Sequence, residues 1–258
     1  MNKRKYHFIA GLPRSGSTLL TSILNQNPKF YSEISNPLGN FIFNIVETYS
    51  SDPTFRTICD ADRLKSSVKG LMDGYYAFTD KQVVFNCNRG WTRYVEYLHE
   101  LNPQFKIICM VRNYADVLNS FEALHKKRGL IDNTAMYSGN TLNVYARTNF
   151  LGNDSFVRYA YNNLREAYFG PYRKNLLLIE YLDLINQPED TMESIYNFID
   201  EPYYKHDFNN VAYSFDEYDQ VLRTKNLHKV SSKVGVQNTP MVLPPDLYDS
   251  FKNWEFWR

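Results

Sequence analysis

The segment Gly11-Leu12-Pro13-Arg14-Ser15-Gly16-Ser17-Thr18 gathers glycines, hydroxyls and a permanent cation within a few residues. Residues of these types at this spacing hold anions. Gly11 and Gly16 let the backbone fold tightly enough for successive N–H groups to converge, and a helix starting at Ser17 would add its positive end. The spacing nearly reproduces the nucleotide-binding loop GxxxxGK(S/T), with Thr18 at the hydroxyl position. Ser17 stands where the lysine belongs, and the cation of the loop is Arg14, three residues earlier. A γ-phosphate with its magnesium would lack its usual counter-charge, so the loop points to an anion other than that of ATP.

Pro13-Arg14-Ser15-Gly16-Ser17-Thr18 resembles the 5′-phosphosulfate loop of the sulfotransferases, P-(K/R)-S-G-(S/T)-T. A second stretch, Arg112-Asn113-Tyr114-Ala115-Asp116-Val117-Leu118-Asn119-Ser120, is similar to their 3′-phosphate motif RNxxDxxxS at every fixed position. The forked, always charged guanidinium of an arginine and a hydroxyl two helical turns on suit a shared phosphate. The overall pattern is closest to the bacterial-type and tyrosylprotein-like members. The resemblance implies an α/β fold with a parallel sheet flanked by helices, like that of the nucleotide kinases, with helical insertions over the site. It also implies 3′-phosphoadenosine 5′-phosphosulfate (PAPS) as donor, adenosine 3′,5′-bisphosphate as product, and no metal.

Carried over residue by residue, the donor would be held by Arg14, Ser15, Gly16, Ser17, Thr18, Arg112 and Ser120. Tyr181-Leu182-Asp183-Leu184 is similar to the YEDL segment after a core strand, which adds Tyr181. Many relatives carry a lysine near the sulfuryl group, in forms such as DKNRGW. This chain reads Asn86-Cys87-Asn88-Arg89-Gly90-Trp91, so Cys87 takes the lysine's place and Arg89 becomes the substitute cation. The family's last phosphate-binding loop has no clean match, and His228-Lys229-Val230-Ser231-Ser232-Lys233 is the nearest basic stretch, adding Lys229 and Ser231.

The implied reaction is in-line transfer of SO₃ to an acceptor hydroxyl or amine. It needs charge stabilisation at the leaving 5′-phosphate, for which Arg14 is placed, and a proton acceptor near the nucleophile. Glu33 follows the first helix as the catalytic glutamate does in tyrosylprotein sulfotransferases. His125 and Glu122 follow Ser120, and His7 falls inside the first strand, where burial is expected. Two other readings stay open: an ATP-dependent phosphotransferase of the P-loop type, and a non-catalytic nucleotide-binding protein of the same fold.

These residues need strands that end together. Apolar runs at Tyr6–Ala10, Val83–Phe85, Ile107–Val111 and Leu176–Ile179 each stop in polar residues before a helical pattern. Thr92 is the expected cap of the helix after the second run. The alternation predicts a parallel sheet with right-handed crossovers and ligands at the carboxyl ends of its strands. Residues 31–81 read as a helical insertion without strands, residues 126–174 as helical, and 222–245 as a C-terminal basic loop region.

With 258 residues, 43% of them hydrophobic, the chain can build one substantial core, and a single domain over 1–258 is expected. A net charge of +1 gives no general attraction to nucleic acid or anionic lipid. Cys59, Cys87 and Cys109 lack ligand or disulfide spacing, which fits a reducing compartment. The apolar run after Met1 is only a strand long, so neither a signal sequence nor a membrane span is expected, and the location reads as cytoplasmic. The acceptor is expected to be a small molecule, lipid or carbohydrate.

Overall fold

A computed structural model of the chain describes residues 4–128, 143–211, 213, 215, 219–220, 228–230, 232–235 and 240–258. Its centre is a five-stranded sheet formed by β1 (Lys5–Gly11), β2 (Phe30–Ser32), β3 (Val83–Cys87), β4 (Ile107–Val111) and β5 (Leu176–Glu180). The spatial order is β2-β3-β1-β4-β5, and every pairing is parallel. The expected α/β architecture is therefore present, with one addition: β2 overlaps the start of the stretch 31–81 that the sequence presents as purely helical. Three residues are too few for a period-two pattern to register, and only pairing with β3 makes Phe30–Ser32 a strand.

Helices follow in chain order as α1 (Ser17–Leu24), α2 (Leu38–Ser51), α3 (Pro53–Ile58), α4 (Ala61–Tyr75), α5 (Val95–Leu101), α6 (Tyr114–Arg128), α7 (Val144–Asn153), α8 (Phe156–Phe169), α9 (Tyr181–Asn186), α10 (Pro188–Ile199) and α11 (Pro245–Phe251). Strands buried on both faces divide their side chains by alternation. Phe8, Ala10, Ile107, Cys109 and Val111 meet the apolar faces of α2, α4, α5 and α8. Ile9, Ile108 and Met110 point the other way, onto α1, α9 and α10. A third cluster joins α6, α7, α8 and the C-terminal tail, where the Tyr114 ring stacks on Trp254 at 5.2 Å and its hydroxyl donates to the Gly152 carbonyl at 3.0 Å.

The turn after β3 differs in detail from its expectation. Asn88, not Thr92, caps it: the Asn88 carbonyl oxygen accepts from the Gly90 N–H at 2.8 Å and opens a 3-10 segment, Arg89–Tyr94, in which Thr92 is buried. Asparagine at this place competes well because its short amide reaches a backbone N–H two residues on.

Candidate active site

β1, β3, β4 and β5 all end on one edge of the sheet, and a cavity of about 560 Å³ opens there. The loop leaving β1 forms its floor. Gly11 (φ 109°), Arg14 (φ 60°) and Gly16 (φ 93°) all take left-handed backbone conformations. A β-carbon at Gly11 would lie 2.1 Å from the Met110 carbonyl oxygen, and one at Gly16 would lie 2.8 Å from the Tyr181 ring, so only glycine lets β4 and α9 pack against this loop. Gly16 is the N-cap of α1 and offers no side-chain acceptor. The first amides of that helix are thus left for an exogenous anion, with Ser17 and Thr18 on the cavity wall beside them.

The Ser15 side chain is engaged inside the protein. It is fully buried; its hydroxyl is hydrogen-bonded to the Leu12 carbonyl and, at 3.0 Å, donates towards the Met110 carbonyl. The side chain ties the loop to β4, and the wall of the cavity passes from Arg14 to Gly16 without it.

The second motif meets the first directly. Arg112, at the exit of β4, donates to the Arg14 carbonyl at 3.2 Å while its guanidinium lies 4.7 Å from the centre of the Tyr181 ring. Arg14 Nε donates to the Ser120 hydroxyl oxygen at 3.1 Å. Arg14, Arg112, Ser120 and Tyr181 all line the one cavity, so the two expected anion positions share a single space. The remaining motif positions are structural. Asn113 caps α6 by accepting from the N–H groups of Ala115 and Asp116 at 3.0 and 3.3 Å, and Asp116 accepts from the Tyr248 hydroxyl at 3.1 Å. The cap fixes where α6 begins, and with it the height of Ser120 above Arg112.

At the exit of β3, Cys87 lines the cavity but is buried, which pushes its thiol up to about 12; the nearby Arg89 charge and Ser17 hydroxyl lower it only in part. A neutral thiol supplies no positive charge where relatives place a lysine. Arg89 is exposed on the same wall, 5.2 Å from the centre of the Phe156 ring, and Lys229 and Lys233 add cations from the C-terminal segment. Ser231 lies outside the described residues.

Glu33 follows β2 and enters a polar network. Its carboxylate accepts from the Asn36 amide, from the Tyr76 hydroxyl at 2.8 Å and from the Tyr31 hydroxyl at 3.4 Å. Asn86 at the end of β3 extends that network, donating to Tyr76 at 2.8 Å and to Asn36 at 3.0 Å. Burial raises the Glu33 pKa and these hydrogen bonds lower it. Burial outweighs those bonds and leaves the carboxyl raised above its usual range; Ile34, Ser35 and Asn36, the next residues of the chain, line the cavity. Glu122 is likewise committed: it is buried and accepts two bonds from Arg147, at 2.9 and 2.6 Å. His7 is buried within β1 against Phe85, as expected.

A smaller cavity of about 350 Å³ adjoins the first and shares Asn40, Asn88, Arg89 and Phe156 with it. Its own wall adds Phe43, Tyr94 and Tyr159 rings with Asn44, Glu47 and Arg93. Neither Asn40 nor Phe156 carries a motif, and nothing in the sequence marks them beyond their places on helical patterns. No helix among the described residues is long and apolar enough to cross a membrane.

Comparisons with known proteins bear on the family and the fold. The family model described as "Sulfotransferase family" matches residues 7–205. A sulfotransferase from Alicyclobacillus acidocaldarius is 14% identical, with a TM-score of 0.52 over 86% of this chain and 92% of its own. The sulfotransferase domain from the curacin biosynthetic pathway is 18% identical, with a TM-score of 0.50 over 100% and 94%. Mouse sulfotransferase SULT7A1, complexed with PAP, is 15% identical, with a TM-score of 0.50 over 97% and 82%. A search of curated protein sequences found no match.

Proposed function

The chain belongs to the sulfotransferase family, and from that premise we propose that it takes its sulfuryl group from PAPS, delivers it to an acceptor hydroxyl or amine, and releases adenosine 3′,5′-bisphosphate. One observation carries the choice of donor: the uncapped start of α1 and the cluster of Arg112, Ser120 and Arg14 face one cavity. A ligand with phosphate-like groups at both the 5′ and 3′ positions of its ribose matches that pair, whereas AMP, with the 5′ group alone, fills only half of it. The residues present fit the donor. Backbone N–H groups at Gly16, Ser17 and Thr18, with Arg14, would hold the 5′ group and offset charge on its leaving oxygen. Arg112 and Ser120 would hold the 3′-phosphate by charge-assisted and neutral hydrogen bonds, with Tyr181 bracing the guanidinium from behind.

The smaller cavity is the acceptor side of this reading, because it reaches the larger one past Arg89 and Asn88, beside Cys87. Its aromatic rings and amide edges suit a compact acceptor with hydroxyls, from a small molecule, lipid or carbohydrate. The free cysteines Cys59, Cys87 and Cys109 favour a reducing, cytoplasmic setting.

Thermal unfolding with adenosine 3′,5′-bisphosphate, AMP and Mg-ATP tests the donor. The bisphosphate at 100 times its dissociation constant should stabilise the fold by about 2.7 kcal/mol, with AMP and Mg-ATP far weaker at that concentration. Equal stabilisation by AMP would remove the basis for the donor, and stabilisation by Mg-ATP alone would restore the phosphotransferase reading.

A further inference from the structure

The wall of the smaller cavity takes three polar residues from α2, Asn40, Asn44 and Glu47. Steps of four and three place them along one stripe of the helix. Phe41 and Ile45, each one position further on, are exposed and line neither cavity, so these exposed apolar side chains of α2 belong to another stripe.

Much of the hydrogen-bonding capacity on that wall is unused among the described residues. The Asn44 amide makes no hydrogen bond there, and Asn40 accepts from the Asn88 amide at 3.2 Å, which leaves its own N–H groups to donate. Glu47 Oε1 takes the Tyr94 hydroxyl and, at 3.3 Å, the Arg93 guanidinium, which leaves Oε2 to accept. Arg93 Nη1 donates to the Tyr159 hydroxyl at 2.8 Å, so that hydroxyl keeps its proton to give. Donors and acceptors therefore stand side by side. An alkyl chain or a bare aromatic ring seated here would strip them of water and offer nothing in return, a cost that falls on each group. Adjacent hydroxyls, each able to donate once and accept twice, meet both kinds of group.

The same space has an aromatic side. Phe156 and Tyr159, one turn apart on α8, are 39% and 46% exposed and bring ring surfaces to the wall. The face of such a ring is apolar and carries the negative part of its quadrupole, which suits weakly positive C–H groups. A pyranose has both features: a face of C–H groups and a rim of vicinal hydroxyls.

We propose that the acceptor is a carbohydrate, a pyranose or the end of a short glycan, with its C–H face on Tyr159 and Phe156 and its hydroxyl rim on Asn40, Asn44 and Glu47. The assignment rests on the donor reading above. At about 350 Å³ the cavity lies near the lower end of small-molecule sites, roughly 300–1,000 Å³, which fits a compact sugar better than a long lipid chain. The hydroxyl sulfated is the one at the boundary of the two cavities, beside Asn88 and Arg89. Its oxygen forms the bond to sulfur, the bond from sulfur to the 5′-phosphate oxygen breaks with its electron pair leaving on adenosine 3′,5′-bisphosphate, and the hydroxyl proton passes to water. The products are a sugar sulfate ester, the bisphosphate and one proton.

Three proteins test the acceptor: the native chain, Asn44→Ala and Tyr159→Leu. Turnover is followed as bisphosphate formed from PAPS with methyl glucoside, methyl galactoside, methyl mannoside, lactose and cellobiose, and with naphthol and octanol. Sugar binding is followed separately by saturation-transfer NMR on the protein without nucleotide, and bisphosphate affinity by calorimetry. At least one sugar should exceed naphthol and octanol in kcat/KM by about tenfold or more. Asn44→Ala should raise the KM for that sugar by roughly two- to tenfold, the worth of one neutral hydrogen bond, and Tyr159→Leu by a similar factor. Both should leave kcat and bisphosphate affinity within about twofold. Preference for naphthol or octanol over every sugar, a sugar KM that neither substitution moves, or no saturation transfer to any sugar overturns the assignment. Failure of the native chain to bind the bisphosphate would sink the donor reading instead, while saturation transfer to a sugar, weakened in the two variants, would still establish the sugar site.

Discussion

Arg112 shows how one side chain can serve two ends. Its guanidinium braces the Arg14 carbonyl, where that residue is held at φ 60°, and presents its other donors to the cavity. Arg112→Ala should therefore weaken the bisphosphate by about 1.5–3 kcal/mol, the range of hydrogen bonds to charged groups, or roughly 10- to 150-fold. Calorimetry should find AMP affinity nearly unchanged, since AMP lacks the 3′-phosphate. Glu122 is the contrasting case, a carboxylate close to Ser120 in sequence that is turned to Arg147. It is 2% exposed and paired with Arg147, so Glu122→Ala should cost about 3–5 kcal/mol of stability by breaking a buried ion pair. Chemical denaturation would read that loss, and a change below 1 kcal/mol would show that the pair is not held as described.

At the scale of elements, the site depends on where helices begin. α1 starts at a glycine without a side-chain cap, and that omission leaves its first amides for an anion. α6 starts at Asn113, whose amide satisfies two backbone N–H groups. Asn113→Ala should cost about 0.5–2 kcal/mol, visible as a lower denaturant midpoint. It should also loosen the bisphosphate more than AMP, because Ser120 rides on the same helix; equal losses for both would show that the cap does not set the register of Ser120. β2 matters in the same way. Its pairing to β3 brings Glu33 and Asn36 to the sheet edge, next to Asn86 and Tyr76.

For the molecule as a whole, the two apolar layers meet at a sheet that also buries His7, and His206 is buried behind α1. Burial lowers both imidazoles from 6.5 to about 4. Between those values the unfolded chain binds protons that the native chain does not, so stability rises with pH across the window and falls as pH drops from 6.5 towards 4. For His7 the full loss is about 3 kcal/mol at 1.36 kcal/mol per unit. Unfolding free energies measured from pH 7 to pH 4 should show this decline, and His7→Leu should flatten it. A slope unaffected by that substitution would mean the ring is protonated in the native state.

The two anion motifs, the parallel sheet and the exits of its longer strands were legible in the chain, because each depends on local spacing: glycines in a turn, an arginine and serine eight apart, apolar runs of strand length. Ser15, Glu33 and Glu122 could not be assigned that way. A hydroxyl turned to Met110, or a carboxylate paired with Tyr76 or Arg147, is decided by residues many positions distant that only packing brings near. The same holds for β2, which is a strand because β3 offers it an edge. Residue type and interval set which groups could hold an anion. The folded contacts decided which hydroxyls and carboxylates turn to the cavity and which are taken up inside the protein, since a polar group that is buried must find a hydrogen-bond partner there.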